Sequence, residues 1–199
     1  VSDTDYILDL VTAPVGHAVL VADVMTFLRV DDAEEIGVIS ELIDAATSYV
    51  QENSGKQLLT ATYDVSWRRF DGAFGELVLP RVPVSSVTSV KYYNTAGTLT
   101  TLSSTLYTVN DGSEHAASYI VPAFNEQWPS TYGHDRDVVV RFVCGYGDIE
   151  DVPASFKLQI KMLVAHWYEN RAAVSCGAMQ KTPLAFTALE QFNRHQEFV

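Results

Sequence analysis

One stretch constrains this chain more than any other: residues 152–174, VPASFKLQIKMLVAHWYENRAAV. Phe156, Ile160, Leu163 and Trp167 come at intervals of four, three and four, the repeat of a single helix face. Met162, Val164 and Tyr168 widen that face, which predicts a helix buried on more than one side. Pro153 suits a first helical turn, where a missing N–H costs nothing. Asp151 sets a negative charge near the positive end of the helix dipole, and Lys157 and Lys161 fall one turn apart on the expected solvent side. A helix this apolar needs partners, from the same chain or from another subunit.

The chain offers one. Residues 33–53 carry Ile36, Ile39, Ile43, Ala46 and Val50 at helical spacing, with Leu42 and Tyr49 beside them. Glu34 and Glu35 occupy the first turn, and Gly55 stands where a left-handed C-cap is expected. Pairing the two helices predicts a core of Ile36, Ile39, Ile43, Phe156, Ile160, Leu163 and Trp167. A short helix over 21–28 should turn Val24, Phe27 and Leu28 inward, and Asp31 or Asp32 can cap the second helix. Residues 1–19 show no period and contain Pro14 and Gly16, so an extended arm, ordered against a neighbour, is expected there.

After Gly55 the period changes. Residues 59–67 alternate, with Tyr63, Val65 and Trp67 on one face and Thr62, Asp64 and Ser66 on the other, the pattern of a half-buried strand. Short strands are expected at 77–79, 87–93, 98–102, 106–109 and 119–121, and turn residues around 94–97 and 110–112 make two hairpins. Residues 138–144 are apolar on both sides except at Arg141, which predicts a central strand. The expected class is α+β: a helical bundle with a large antiparallel β-rich insertion, sandwich- or barrel-like, between the second and third main helices. The expected organisation is an arm over 1–19, a bundle over 20–56 and 150–199 ending in a C-terminal tail, and the insertion over 57–149. Residues 175–182 read as a linker and 183–195 as a last short helix.

Charge narrows the partners. The chain carries −12, distributed as 11 acids and 2 bases over 1–56, 10 and 6 over 57–150, and 4 and 5 over 151–199. An acidic first third does not grip a phosphate backbone, which needs clustered Lys and Arg; a solvated acidic face is the reading adopted. No apolar run is long enough to span a bilayer, and VSDTDYILDL lacks the basic start of a secretory signal, so a soluble protein made in a cytoplasm, with no membrane partner, is expected. Cys144 and Cys176 are too few for a disulfide framework; free thiols are expected, with one bridge left open.

No constellation carries chemistry. His166 and Glu169 share a helix face, but no second ligand pair accompanies them and HExxH is absent, so a polar notch in a packed helix is the reading. His17, His115, His134 and His195 are scattered, and Ser113-Glu114-His115 are neighbours in a turn, a poor start for a triad whose members converge in space. Asp135 and Asp137 flank Arg136 in what reads as a solvated loop. Gly145-Tyr146-Gly147-Asp148 lacks the Lys and Ser/Thr of a phosphate loop. Trp128 and Tyr132 could form a sugar platform or a loop packed on the sheet or on a neighbouring subunit; packing is the preferred reading. No catalytic residue, metal or cofactor is expected.

Five segments do stand out together: LRVDDAEE before the second helix, YVQENSGKQL across its end, RVPVSSVTSV in the insertion, GYGDIEDVP before the long helix and HWYENR within it. In this order and spacing, from about Leu20 to Arg171, they resemble the head–tail connector (adaptor, or head-completion) proteins of tailed bacteriophages and gene transfer agents. The resemblance implies a structural virion protein rather than an enzyme. It implies a homo-oligomeric ring, usually a dodecamer, docked under the portal protein and meeting the next tail-side connector or stopper protein, at the head–tail junction of a particle assembled in the host cytoplasm. DNA would pass through its channel without sequence recognition. Such proteins are expected to meet the portal through a C-terminal tail, here Leu189, Phe192, Arg194, His195, Phe198 and Val199; the alternative is that this tail closes its own bundle. The competing functional reading is a carbohydrate- or receptor-binding virion module built on the sheet.

Overall fold

The apolar stripe of 152–174 folds, in the computed structural model, as α3 (Ala154–Glu169), and Pro153 takes the cap position rather than the first turn. The structure describes residues 6–70, 75–112, 116–170, 189 and 191. These residues form an α+β chain that divides into two compact units, one within Val15–Leu59 and Gly147–Arg194, the other within Val1–Pro14 and Thr60–Tyr146.

In the helical unit, α1 (Val21–Leu28) and α2 (Ile36–Ser54) pack with α3. Asp32 accepts from the Glu34 amide, and a single 3-10 turn (Ala33–Glu35) leads into α2. Gly55 closes α2 with φ of 69°, a conformation a side chain resists. Ile39, Ile43, Ala46 and Val50 of α2 and Phe156, Ile160, Leu163 and Val164 of α3 are buried. Each large one contributes about 1.5–3 kcal/mol by leaving water. The unit also buries Lys56, whose ammonium lies 5.5 Å from the centre of the Phe156 ring, so the charge keeps a favourable neighbour while the stem packs.

Three expectations differ here. Ile36 is 45% exposed, because it is the first residue of α2, directly after the 3-10 turn, one turn short of the buried stripe. Phe27 is exposed: α1 is only two turns long, and Val24 alone fills its buried position. Lys161 is not simply solvated, since its ammonium reaches Asp23 of α1 at 3.3 Å. Trp167, in the last turn of α3, is half-buried and meets Tyr49 edge to face, with ring centres 6.3 Å apart.

The second unit holds two antiparallel sheets. The larger has strand order β1-β2-β8-β4-β5, built from β1 (Tyr6–Thr12), β2 (Ala61–Trp67), β4 (Val84–Tyr93), β5 (Leu99–Thr101) and β8 (Val138–Cys144). The smaller is β3-β7-β6, from β3 (Leu77–Val78), β6 (Tyr107–Asn110) and β7 (Tyr119–Pro122). Val138–Cys144 is the central strand and alternates cleanly, with Val138, Val140, Phe142 and Cys144 inward. Side chains of both sheets, Val65, Val90 and Phe142 from one and Leu77 and Ile120 from the other, fill one core.

The arm expected over 1–19 is corrected in part. Tyr6–Thr12 is a strand, paired antiparallel to β2 with Tyr6 opposite Trp67 and Leu10 opposite Tyr63. Its period was hidden because an edge strand is wet on most of its residues, and here only Leu8 is half-buried. The last helix, the linker over 175–182, Cys176 and the Ser113-Glu114-His115 turn lie outside the described residues, apart from Leu189 and Gln191, which are helical.

Candidate functional site

The densest polar arrangement on the large sheet begins with registry. Asp64 of β2 stands opposite Arg141 of β8 on one side and opposite Asp9 of β1 on the other. Two carboxylates facing each other across strands repel. Each has its own arginine instead: Arg141 grips Asp64 through two bonds of 2.7 Å, and Arg136 reaches Asp9 at 2.8 Å. The hydrogen bonds to Asp64 and its charge hold the Arg141 guanidinium above its already high range. This is a structural clamp with no open coordination position.

Asp137 corrects the expectation of a solvated loop. It is fully buried just before β8, and one carboxylate oxygen accepts the Gly133 amide, while the other has no hydrogen-bond partner among the described residues. Its backbone carbonyl accepts from Tyr93. The carboxylate so bonded closes the 131–137 loop on itself, and the two backbone bonds with Tyr93, from its N–H to the Asp137 carbonyl and from Tyr132 N–H to its carbonyl, hold the loop on β4. Beside it lies an open groove of about 480 Å³ lined by Tyr93, Ala96, Gly97, Tyr132, His134 and Arg136.

Trp128 takes no part in that groove. It stacks on Phe70 with ring centres 4.6 Å apart and donates its indole N–H to the Gly75 carbonyl. That packed position matches the loop-on-sheet reading and removes Trp128 from any sugar platform.

In the helical unit the structure assembles something the sequence hid. His17 lies 2.7 Å from Asp44 through Nδ1 and 3.1 Å from Ser40 Oγ through Nε2. Ser40 and Asp44 are one turn apart on α2, which could have been read from spacing, but nothing local points to His17. The order of groups is that of a Ser-His-Asp triad. Among the described residues it lacks the surrounding parts of a catalytic site: the hydroxyl sits within a continuous helix whose amides bond to helical carbonyls, so its own backbone offers no pair of N–H groups to a developing oxyanion. The Asp44 side chain is 65% exposed, whereas a triad acid is shielded. We read the three as a clip tying residue 17 to α2.

The remaining candidates are quiet. The Cys144 thiol is pushed up to about 12 by burial, with Arg81 opposing the shift, so it stays protonated and unreactive near neutrality. His166 has Asn170, not a second acid, against its ring. Among the described residues no three His, Cys, Asp or Glu side chains gather as a metal site, and no helix is long and apolar enough to cross a membrane. Of the expected docking residues, Leu189 is helical and half-buried; Phe192, Arg194, His195, Phe198 and Val199 lie outside the described residues.

Exposed apolar groups are the more telling surface. Val15 is 94% and Phe124 93% exposed, and Tyr6, Ile7, Leu10 and Val11 are all exposed along one strand. Single groups of this kind are ordinary; four on one edge strand are not.

No protein-family model matches this chain, and no curated protein matches it. Solved structures do. A chain in the neck of an empty gene transfer agent (GTA) particle, computed with C6 symmetry, is similar at a TM-score of 0.76 and 23% identity over 97% of both chains. One in the virion of a native GTA particle gives 0.75 at 22% identity over 97% of both, and one in a native neck computed with C12 symmetry gives 0.70 at 23% over 97% of both. At these identities the likeness is one of fold, and it runs the length of the chain.

Proposed function

We propose that this chain is a structural adaptor of a phage-like particle, a head–tail connector subunit that forms a ring under the portal, joins head to tail and continues the DNA channel. The observation that carries the reading is the shared fold, over 97% of each chain, with proteins from gene transfer agent necks. The five sequence segments between Leu20 and Arg171 point to the same family independently of the fold. The C6 and C12 symmetries belong to those particles; here they support a ring, with twelve copies as the working number. In this reading the helices form the bundle and the β-rich unit is set into it between α2 and α3. Ile39, Ile43, Phe156, Ile160 and Leu163 are the bundle's structural core, and the tail from Leu189 to Val199 docks on the portal. A net charge of −12 suits a channel wall that DNA passes without adhering. The adaptor works by geometry and assembly rather than catalysis.

The test is mass. Light scattering on the purified protein, alone and with portal protein, should give a ring-sized species, visible as an annulus by negative stain. A monomer under both conditions overturns the reading. The competing proposal, a glycan-binding virion module, now rests on the Tyr93–Tyr132 groove; glycan-array binding lost in Tyr132→Ala would support it.

A further inference from the structure

We propose that neighbouring copies in the ring join by strand addition, β1 of one copy pairing with the open outer edge of β4 in the next. This rests on the ring reading and names the contact that would build it.

A ring is made by a head-to-tail contact, which needs two different and complementary surfaces on each copy. The large sheet has them. At one end β1 is an edge strand, paired among the described residues to β2 alone. At the other end β5 covers only Lys91–Tyr93 of β4, and Leu102 N–H bonds to the Val90 carbonyl. Below that point, residues 84–89 have no strand on their outer side among the described residues. The open length is therefore six residues, and β1 has seven.

Direction fits as well as length. β1 is antiparallel to β2, β2 to β8 and β8 to β4, so β1 and β4 run oppositely. A second copy set beside the first in the same orientation brings its β1 antiparallel to β4, in line with β5 in the same column of the sheet.

Chemistry distinguishes the two edges. β1 exposes Tyr6, Ile7, Leu10 and Val11, an apolar edge of the kind that invites pairing when nothing blunts it. The β4 edge exposes Ser85, Ser86 and Thr88, small hydroxyl side chains that let a strand approach. Residues 1–12 contain Asp3, Asp5 and Asp9 and no base, whereas residues 81–91 contain Arg81 and Lys91 and no acid. Asp9 is already paired with Arg136, so Asp3 and Asp5 carry the sequence's excess of acid; the signs are complementary, which orients an encounter and disfavours β1 meeting β1. Bulges interrupt β4 near Ser86 and Ser89 and β1 near Thr12. The β4 bulges fall within the open length, so the incoming strand meets a twisted edge there, and Tyr6–Leu10 is the regular stretch of β1.

The experiment is a cysteine scan in a Cys176→Ser background, with Ile7→Cys combined in turn with Ser85→Cys, Ser86→Cys and Thr88→Cys. Mild oxidation of ring-sized material should give a ladder of covalent oligomers from one combination and none from any single-cysteine variant. Ring-sized mass with no ladder from any combination overturns strand addition and leaves the ring reading standing. Absence of a ring-sized species in the parent, alone or with portal protein, overturns both. Leu10→Lys gives a second readout should the cysteine pairs misfold. It should reduce the ring-sized fraction at least about tenfold, because a charge would enter a dry contact, while the melting temperature of the single copy is unchanged. Undiminished ring formation in Leu10→Lys overturns the proposal.

Discussion

Cys144 shows how far a single residue's behaviour follows from its surroundings. Its thiol is buried in the sheet core and pushed up to about 12 from the 9.0 of an ordinary thiol. Between those two values the unfolded chain loses the proton and the folded chain keeps it. Stability is therefore whole below about pH 9 and falls as pH rises, by about 1 kcal/mol per unit until about pH 12. Urea unfolding of the wild type and Cys144→Ala across pH 8–10 should show the wild type losing stability more steeply; parallel lines would contradict the burial. Trp167 is the opposite case. Half-buried against Tyr49, it leaves a smaller void than a core aromatic, and Trp167→Ala should cost about 2 kcal/mol rather than the roughly 3–5 of a fully buried ring. Thermal melts monitored by circular dichroism decide between those values.

At the scale of elements, ends matter more than middles. α2 stops because Gly55 takes φ of 69° and returns its amide to the Gln51 carbonyl. Gly55→Ala should destabilise the helical unit by about 1 kcal/mol through left-handed strain alone, since no contact is deleted. A melting temperature equal to wild type would mean the backbone relaxes there at no cost. Asp148 and Asp151 bond reciprocally to each other's backbone at the turn before α3. Removing the Asp148 carboxylate by Asp148→Ala should cost about another 1 kcal/mol, read from the same melts.

For the whole molecule, the proposed adaptor makes its ends functional. Deleting residues after Thr182 should leave the core of the helical unit folded, because its buried residues Ile39, Ile43, Phe156 and Ile160 lie on α2 and α3, which pack on each other. The same deletion should abolish attachment to portal-bearing heads, scored by co-sedimentation. Unfolding of the truncated chain would assign the tail to its own bundle, and normal attachment would remove it from the portal contact.

Much of this could be read from one sequence. The helices over 21–28 and 33–53, the long apolar helix and the central strand over 138–144 declared themselves because their buried residues repeat at the period of the element, and period is a local property. The left-handed cap at Gly55 and the aspartate cap before α2 were local too. The features that escaped depend on residues far apart in the chain. The strand Tyr6–Thr12 exists because β2 offers it an edge, not because of its own alternation. Asp137 is buried because the 131–137 loop folds back over it, although Asp135 and Arg136 beside it are wet. His17 joins Ser40 and Asp44 across a separation of 23 and 27 residues. Sequence determined the helices and the inner strands but not the edge strand Tyr6–Thr12, since the former follow from short-range sterics and the spacing of apolar groups. Only the tertiary structure decided which edges of the sheet stayed open, because an edge is defined by the strand that is not there.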